Sequence, residues 1–229
     1  MHIETVGAGP PLVLLHGWGL HGGVFAPLVD RLSDRFQLHL VDLPGHGYSC
    51  KDPTPLALQA TVAGILARTP SAAWLAWSMG GLFALHAASV SSQVRALALI
   101  AVTPRFVRAE DWTQAVEVSV FEQFSRDLQQ DYRGTLERFL ALDTIGSEHA
   151  RTELRTLKEK LYARGEPSPK ALQQGLALLE QSDLRTSLPG LLVPSLWISG
   201  HRDRLVSPSA MQAAAAMTPG SRYVDIAGG

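Results

Sequence analysis

Short runs of Val, Leu and Ile recur along this chain and alternate with helix-like stretches, which is the feature that most narrows its fold. A strand apolar along its whole length must be buried on both faces, and helices between such strands supply the cover, so the pattern predicts a mostly parallel sheet flanked by helices. The runs read as strands at Pro11 to Leu15, Phe36 to Val41, Ala72 to Trp77, Val94 to Ala101, Leu192 to Ser199 and Arg222 to Ile226. Helices are expected at Val24 to Leu32, Leu56 to Ala67, Met79 to Ala88 and Ser209 to Met217. From Thr103 to about Ser187 the alternation stops and the chain turns helical and charge-rich. The division expected is a core of 1–102 and 188–229 with a helical lid inserted at 103–187. Inside the insertion Leu154, Leu157 and Leu161 mark one apolar helix face, and Gly165-Glu166-Pro167-Ser168-Pro169 reads as a hinge.

Composition excludes several classes of function. A formal net charge of -1 gives no field to attract nucleic acid or an anionic membrane. Cys50 is the only cysteine, so no internal disulfide and no cysteine-based metal site are expected. No apolar run is long enough to span a bilayer and no signal-like segment opens the chain, which points to a cytoplasmic protein, taken as a monomer.

The chemistry gathers at Ala76-Trp77-Ser78-Met79-Gly80, where a serine stands between an apolar strand and a helix with small residues two places to either side. This resembles the nucleophile elbow of the α/β hydrolases, G-x-S-x-G, with Ala76 in place of the first glycine. A serine attacking a carbonyl creates an oxyanion, and each donor aimed at that charge lowers the barrier by about 3–4 kcal/mol. The backbone N–H of Met79 is one candidate donor. The N–H of Trp18, in Leu14-Leu15-His16-Gly17-Trp18-Gly19, is the other, its indole forming a wall of the acyl pocket. His16 is expected to hold that loop in place, and Asp42, in Val41-Asp42-Leu43-Pro44-Gly45, to sit in a structural turn supporting it.

In this fold the acid and then the histidine follow the serine in chain order. Asp203, just past a late apolar strand in Ser199-Gly200-His201-Arg202-Asp203, fits the acid. None of the eight histidines follows the last strand, where the base is expected. The triad histidine is therefore expected just after Gly229, in a chain longer than the one read here.

Three segments, Leu14 to Leu20, Leu38 to Gly45 and Trp77 to Gly81, recur across α/β hydrolases; a fourth, Glu137-Arg138-Phe139-Leu140-Ala141-Leu142, overlaps the lid segment Arg138 to Ala150, which is more particular. Together they resemble the pimeloyl-acyl-carrier-protein methyl ester esterase family, over essentially the whole chain. The resemblance implies an α/β-hydrolase fold and hydrolysis of the methyl ester of a pimeloyl chain on acyl carrier protein, in biotin synthesis, without metal or organic cofactor. It further implies that Trp18, Ser78 and Met79 line the reacting centre, that Phe139, Leu140, Ala141, Leu142 and Asp143 line the acyl channel, and that Arg151 and Arg155 meet the acidic carrier protein. Arg151, Arg155 and Lys158 fall at helical spacing, so these cations share one face. The sequence departs from the family pattern at Asp143, where an uncharged residue is expected, and at Gly134, where an arginine is expected; Arg133 and Arg138 are the candidates to replace that charge. A broad short-chain carboxylesterase, a C–C bond hydrolase of the same fold and a non-catalytic ligand-binding homologue stand as alternatives.

Overall fold

The computed structural model describes residues 1–144 and 150–228, apart from the side chains of residues 142–144, 150 and 153. Its sheet has seven strands in the order β1-β3-β2-β4-β5-β6-β7. These are β1 (His2–Val6), β2 (Pro11–Leu15), β3 (Gln37–Asp42), β4 (Ala72–Trp77), β5 (Val94–Ile100), β6 (Ser195–Gly200) and β7 (Ser221–Ile226). Only β1 runs antiparallel, pairing with β3 from His2 opposite Asp42 to Val6 opposite Leu38. The polar residues His2 and Glu4 belong to this edge strand, whose mixed composition contains no continuous apolar run.

Both faces are covered, as the apolar runs require. Along β2, Leu12 and Leu14 enter one apolar cluster with Phe25, Leu38 and Leu40, while Val13 and Leu15 enter the larger one on the opposite face. The connecting helices are α1 (Ala26–Leu32), α2 (Leu58–Leu66), α3 (Gly80–Val90) and, late in the chain, α8 (Pro208–Met217).

Between β5 and β6 the described residues form four α-helices, α4 (Val118–Gln130), α5 (Tyr132–Thr144), α6 (Ala150–Leu161) and α7 (Pro169–Gln181). The turn between α6 and α7 holds the expected Gly165–Pro169 break, and Leu154, Leu157 and Leu161 pack inward as their spacing predicts. The expectation of helix from Thr103 onward needs correction over its first part. Residues 103–117 form an irregular segment with isolated bridges between Val107 and Val116 and between Ala109 and Trp112. Its backbone is held by side chains, with Trp112 Nε1–H donating to Arg105 O at 3.0 Å and Thr103 Oγ1 donating to the same carbonyl at 2.9 Å. The expected start of β6 at Leu192 is also too early, because Leu192 lies exposed and the strand begins after Pro194.

The chain steps from β2 to one side to make β3, then returns past it to make β4 on the other. This reversal falls at the carboxyl ends of β2 and β4, the place where open α/β sheets hold their ligands.

Candidate active site

Ser78 follows the last residue of β4 and takes φ +54°, a left-handed conformation that an L-residue adopts at a cost of roughly 1–2 kcal/mol. The bend is pinned on both sides, since Ser78 N–H donates to Ile100 O at 3.0 Å and Ser78 O accepts from Gly81 N–H at 2.8 Å. Gly80 is required by contact: a Cβ there would lie 2.6 Å from Leu15 O and 2.7 Å from His16 O. The elbow thus presses directly on the end of β2. Ala76, in place of the first glycine of the pattern, is buried in β4.

The side chain of Ser78 faces the β2 loop, where a Cβ built on Gly17 would lie 3.3 Å from Ser78 Cβ. Ser78 Oγ is buried and has no hydrogen-bond partner among the described residues. The backbone N–H groups of Trp18 and Met79 likewise have no acceptor among the described residues. A buried hydroxyl without a partner, beside two amide hydrogens without an acceptor, is a costly combination in a folded protein, at about 1–3 kcal/mol for each buried group left unsatisfied.

His16 fixes the loop, as expected from the sequence. Its Nε2 accepts from Leu43 N–H at 3.0 Å, and its Nδ1–H donates to Gly17 O at 2.8 Å, a tautomer set by the amide that Nε2 receives. Burial, with the neighbouring His46 adding to it, holds the His16 imidazole well below its ordinary pKa, so it is neutral and fully committed. Asp42, wholly buried, accepts from Gly22 N–H at 2.7 Å and Tyr48 N–H at 2.9 Å, and pairs with Arg164 at 3.2 Å. It is a structural turn residue, with its carboxylate consumed by these partners.

Asp203 lies in the loop between β6 and α8. Its Oδ1 accepts from Leu205 N–H at 2.9 Å and Val206 N–H at 2.8 Å. Burial raises its carboxyl above the usual carboxylate pKa, opposed by those two N–H bonds. Both bonds fall on one oxygen. None of the described histidines is hydrogen-bonded to Ser78 or Asp203, and His201, nearest to the acid in sequence, bonds Asp225 at 2.7 Å instead.

Trp18 is buried against the inserted helices. Its indole N–H donates to Leu172 O of α7 at 2.9 Å, and its ring meets Phe139 of α5 edge-on at 4.8 Å. Phe139 in turn meets Phe124 of α4 at 5.5 Å. Gly175 of α7 completes the contact, because a Cβ there would lie 2.5 Å from Trp18 Cδ1 and 3.0 Å from Met79 Sδ. Sequence reasoning did not single out Leu172 or Gly175; a glycine inside a helix was the one available signal. Leu140 is buried beside Phe139, while Ala141 lines a cleft of about 520 Å³ between α4 and α5 with Val120, Phe124, Asp127 and Arg138. The side chains of Leu142 and Asp143 lie outside the described residues. Among the described residues no cluster of three or more His, Cys, Asp or Glu side chains is placed to hold a metal ion.

The expected cationic face of α6 is partly paired. Arg151 and Arg155 are exposed, Arg155 lies 3.7 Å from Glu159 one turn on, and Lys158 reaches Glu137 of α5 at 2.6 Å. Near Gly134, Arg133 is engaged by Glu166 and Tyr132, and Arg138 by Asp127 at 3.2 Å and Thr135 at 3.0 Å.

A serine at a left-handed bend, at the carboxyl end of a parallel sheet, narrows the choice of fold family, and comparison decides it. The family model for the alpha/beta hydrolase fold matches residues 10–229. This chain belongs to the α/β hydrolase family. Within the α/β hydrolases, a relative from Xanthomonas oryzae pv. oryzae (strain MAFF 311018), named pimeloyl-[acyl-carrier protein] methyl ester esterase, is 66% identical over 229 residues, covering 100% of this chain and 90% of the relative. A protein of the same name from Stenotrophomonas maltophilia (strain K279a) is 64% identical and covered over 88% of its length. Among solved α/β hydrolases, the esterase EaEST from Exiguobacterium antarcticum matches with a TM-score of 0.84 at 22% identity, over 98% of this chain and 85% of the other. The enol-lactonase from Burkholderia xenovorans LB400 also matches with a TM-score of 0.84, at 21% identity, over 99% and 87%. Those two likenesses speak to the fold.

Proposed function

We propose that this protein is a serine carboxylesterase that hydrolyses the methyl ester of a pimeloyl chain borne by acyl carrier protein, a step of biotin synthesis. The observation that carries the reaction type is the unpartnered Ser78 hydroxyl beside the unspent N–H groups of Trp18 and Met79. The choice of substrate is supported by the names of relatives about two-thirds identical over the whole chain.

In this reading Ser78 Oγ attacks the ester carbonyl carbon and its proton passes to an imidazole. The oxyanion that forms is held by the two N–H groups, positioned by the His16 bonds and the Gly80 contact before substrate arrives. Collapse expels methanol, which leaves with a proton from the imidazole. Water then attacks the acyl-enzyme, and its second collapse frees the carboxylate and restores Ser78. The free oxygen of Asp203 orients the imidazole and stabilises its charged form. That imidazole is assigned to a histidine following Gly229, on the chain order serine, acid, histidine. Phe139, Leu140, Ala141, Leu142 and Asp143 form the acyl channel, α4 to α7 act as a lid over it, and Arg151 and Arg155 contact the carrier protein.

The test is Ser78→Ala in the full-length protein, assayed on a p-nitrophenyl ester and on a pimeloyl methyl ester. Loss of both activities, by about 10³-fold or more in kcat, is expected, because the nucleophile and its base act as a unit. Unchanged turnover rejects the mechanism. Faster cleavage of short acyl esters or of a vinylogous diketone than of the pimeloyl ester by the natural protein rejects the substrate.

A further inference from the structure

A second polar cluster sits at the carboxyl ends of β6 and β7, and the mechanism above leaves it without a role. His201 Nδ1 lies 2.7 Å from Asp225 Oδ2, and Asp225 Oδ1 accepts from Ser199 Oγ at 3.1 Å. Ser199 Oγ is 2.8 Å from Tyr223 OH, whose hydroxyl also has Pro208 O as an acceptor at 3.2 Å. Ser199 spends its proton on the Asp225 carboxylate, and the Tyr223 proton is shared between Ser199 Oγ and Pro208 O. Asp225 therefore gathers donors from β6 and from the loop after it. The hydrogen bond from His201, with that from Ser199, holds its carboxyl below the usual carboxylate range, so Asp225 is ionised at neutral pH.

The cluster bears directly on the loop that presents Asp203. That loop leaves β6 at Gly200 and is closed on itself by Asp203 N–H to Gly200 O at 3.2 Å. His201 ties it to β7 at two points, through the ring to Asp225 and through its backbone N–H to Ile226 O at 2.9 Å. The side-chain bond is made two residues before the acid, so it bears on the backbone that leads directly into Asp203.

We infer that the His201–Asp225 hydrogen bond is a positioning clasp for the catalytic acid, fixing the Asp203 loop to the end of β7 so that its carboxylate meets the imidazole in register. The inference rests on the assignment of Asp203 made above. His201 is a positioning residue, acting through the loop. Misplacing an orienting acid weakens the transition state more than substrate binding, so the loss appears in kcat.

The experiment compares His201→Ala, His201→Asn and Asp225→Ala in the full-length protein on a short p-nitrophenyl ester, with kcat expressed per active site by burst titration. Asparagine places an amide donor near the position of Nδ1. Expected are a fall of roughly tenfold in kcat for both alanine variants, KM within about twofold, and recovery to within about twofold of natural activity by His201→Asn. The double alanine variant should be no worse than Asp225→Ala alone, because that change already removes the contact with His201. A kcat per active site that is unchanged in the alanine variants overturns the inference, as does His201→Asn being as impaired as His201→Ala. Amide exchange at Leu205 and Val206, whose N–H groups bind Asp203, gives a reading independent of the reaction. Faster exchange there in His201→Ala supports the clasp even if Ser78 proves not to be the nucleophile, and unchanged exchange counts against it. Ester turnover that survives Ser78→Ala sinks the mechanism alone.

Discussion

His16 and His46 show how much of the site is bought with groups kept neutral. Both are fully buried, with ring centroids 5.3 Å apart. His16 spends one nitrogen on each side of the loop, and His46 Nδ1–H donates to Pro44 O at 3.0 Å while its Nε2 has no partner among the described residues. Burial pushes His46 down to about 4 and His16 well below its ordinary value. In the unfolded chain a histidine titrates near pH 6.5. Between that value and the folded one the unfolded state binds more protons, so stability is present above about pH 6.5 and is lost as pH falls. Two such groups predict a loss of about 3 kcal/mol between pH 6.5 and 5, read by urea unfolding at each pH. His46→Gln should cut that slope to about one proton. A slope unchanged by the substitution would mean that His46 is not buried as a neutral ring.

At the scale of elements, the inserted helices are fastened to the core at a few polar points. Arg164, after α6, pairs with the buried Asp42 at 3.2 Å and with Glu4 of β1, and its guanidinium lies 5.0 Å from the Tyr48 ring. His21 Nε2–H donates to Lys160 O at 2.6 Å, and Ser168 N–H to Gly45 O at 2.7 Å. Removing one partner of a buried pair leaves a charge in a poor medium, so Arg164→Met should destabilise the protein by about 3–5 kcal/mol in denaturant titration. A loss below about 1 kcal/mol would show the pair to be dispensable. The same elements show what the sequence makes legible. β2 and β4 have the bounds their apolar runs indicate, because strands buried on two faces have no room for polar residues. The elbow was legible because a left-handed serine against a neighbouring strand dictates small residues at fixed positions, Gly80 above all. The bonds of Trp18 to Leu172 and of Asp42 to Arg164 join residues 154 and 122 positions apart, and no local pattern encodes such pairings. Residues 103–117 misled for a related reason: their shape is set by Trp112 and Thr103 binding carbonyls, while their composition resembles that of the helices that follow.

For the whole molecule, a formal net charge of -1 means that any steering of a charged partner comes from one patch and must fade as salt screens it. The α6 face carries Arg151, Arg155 and Lys158, and the pairs made by the last two with Glu159 and Glu137 are exposed. Exposed pairs contribute about 0–1 kcal/mol, so an acidic partner can compete for these cations. If the carrier protein docks there, kcat/KM on the carrier-bound ester should fall by about fivefold to tenfold between 50 and 500 mM salt, because steering acts on association. Hydrolysis of a small uncharged ester, which needs no docking, should be nearly flat over that range. Arg151→Glu with Arg155→Glu should lower turnover of the carrier-bound ester at low salt and remove most of its salt dependence, leaving the small ester unaffected. Equal loss on both substrates would trace the effect to the fold of α6, and an unaltered salt dependence would move the docking surface to another part of the protein.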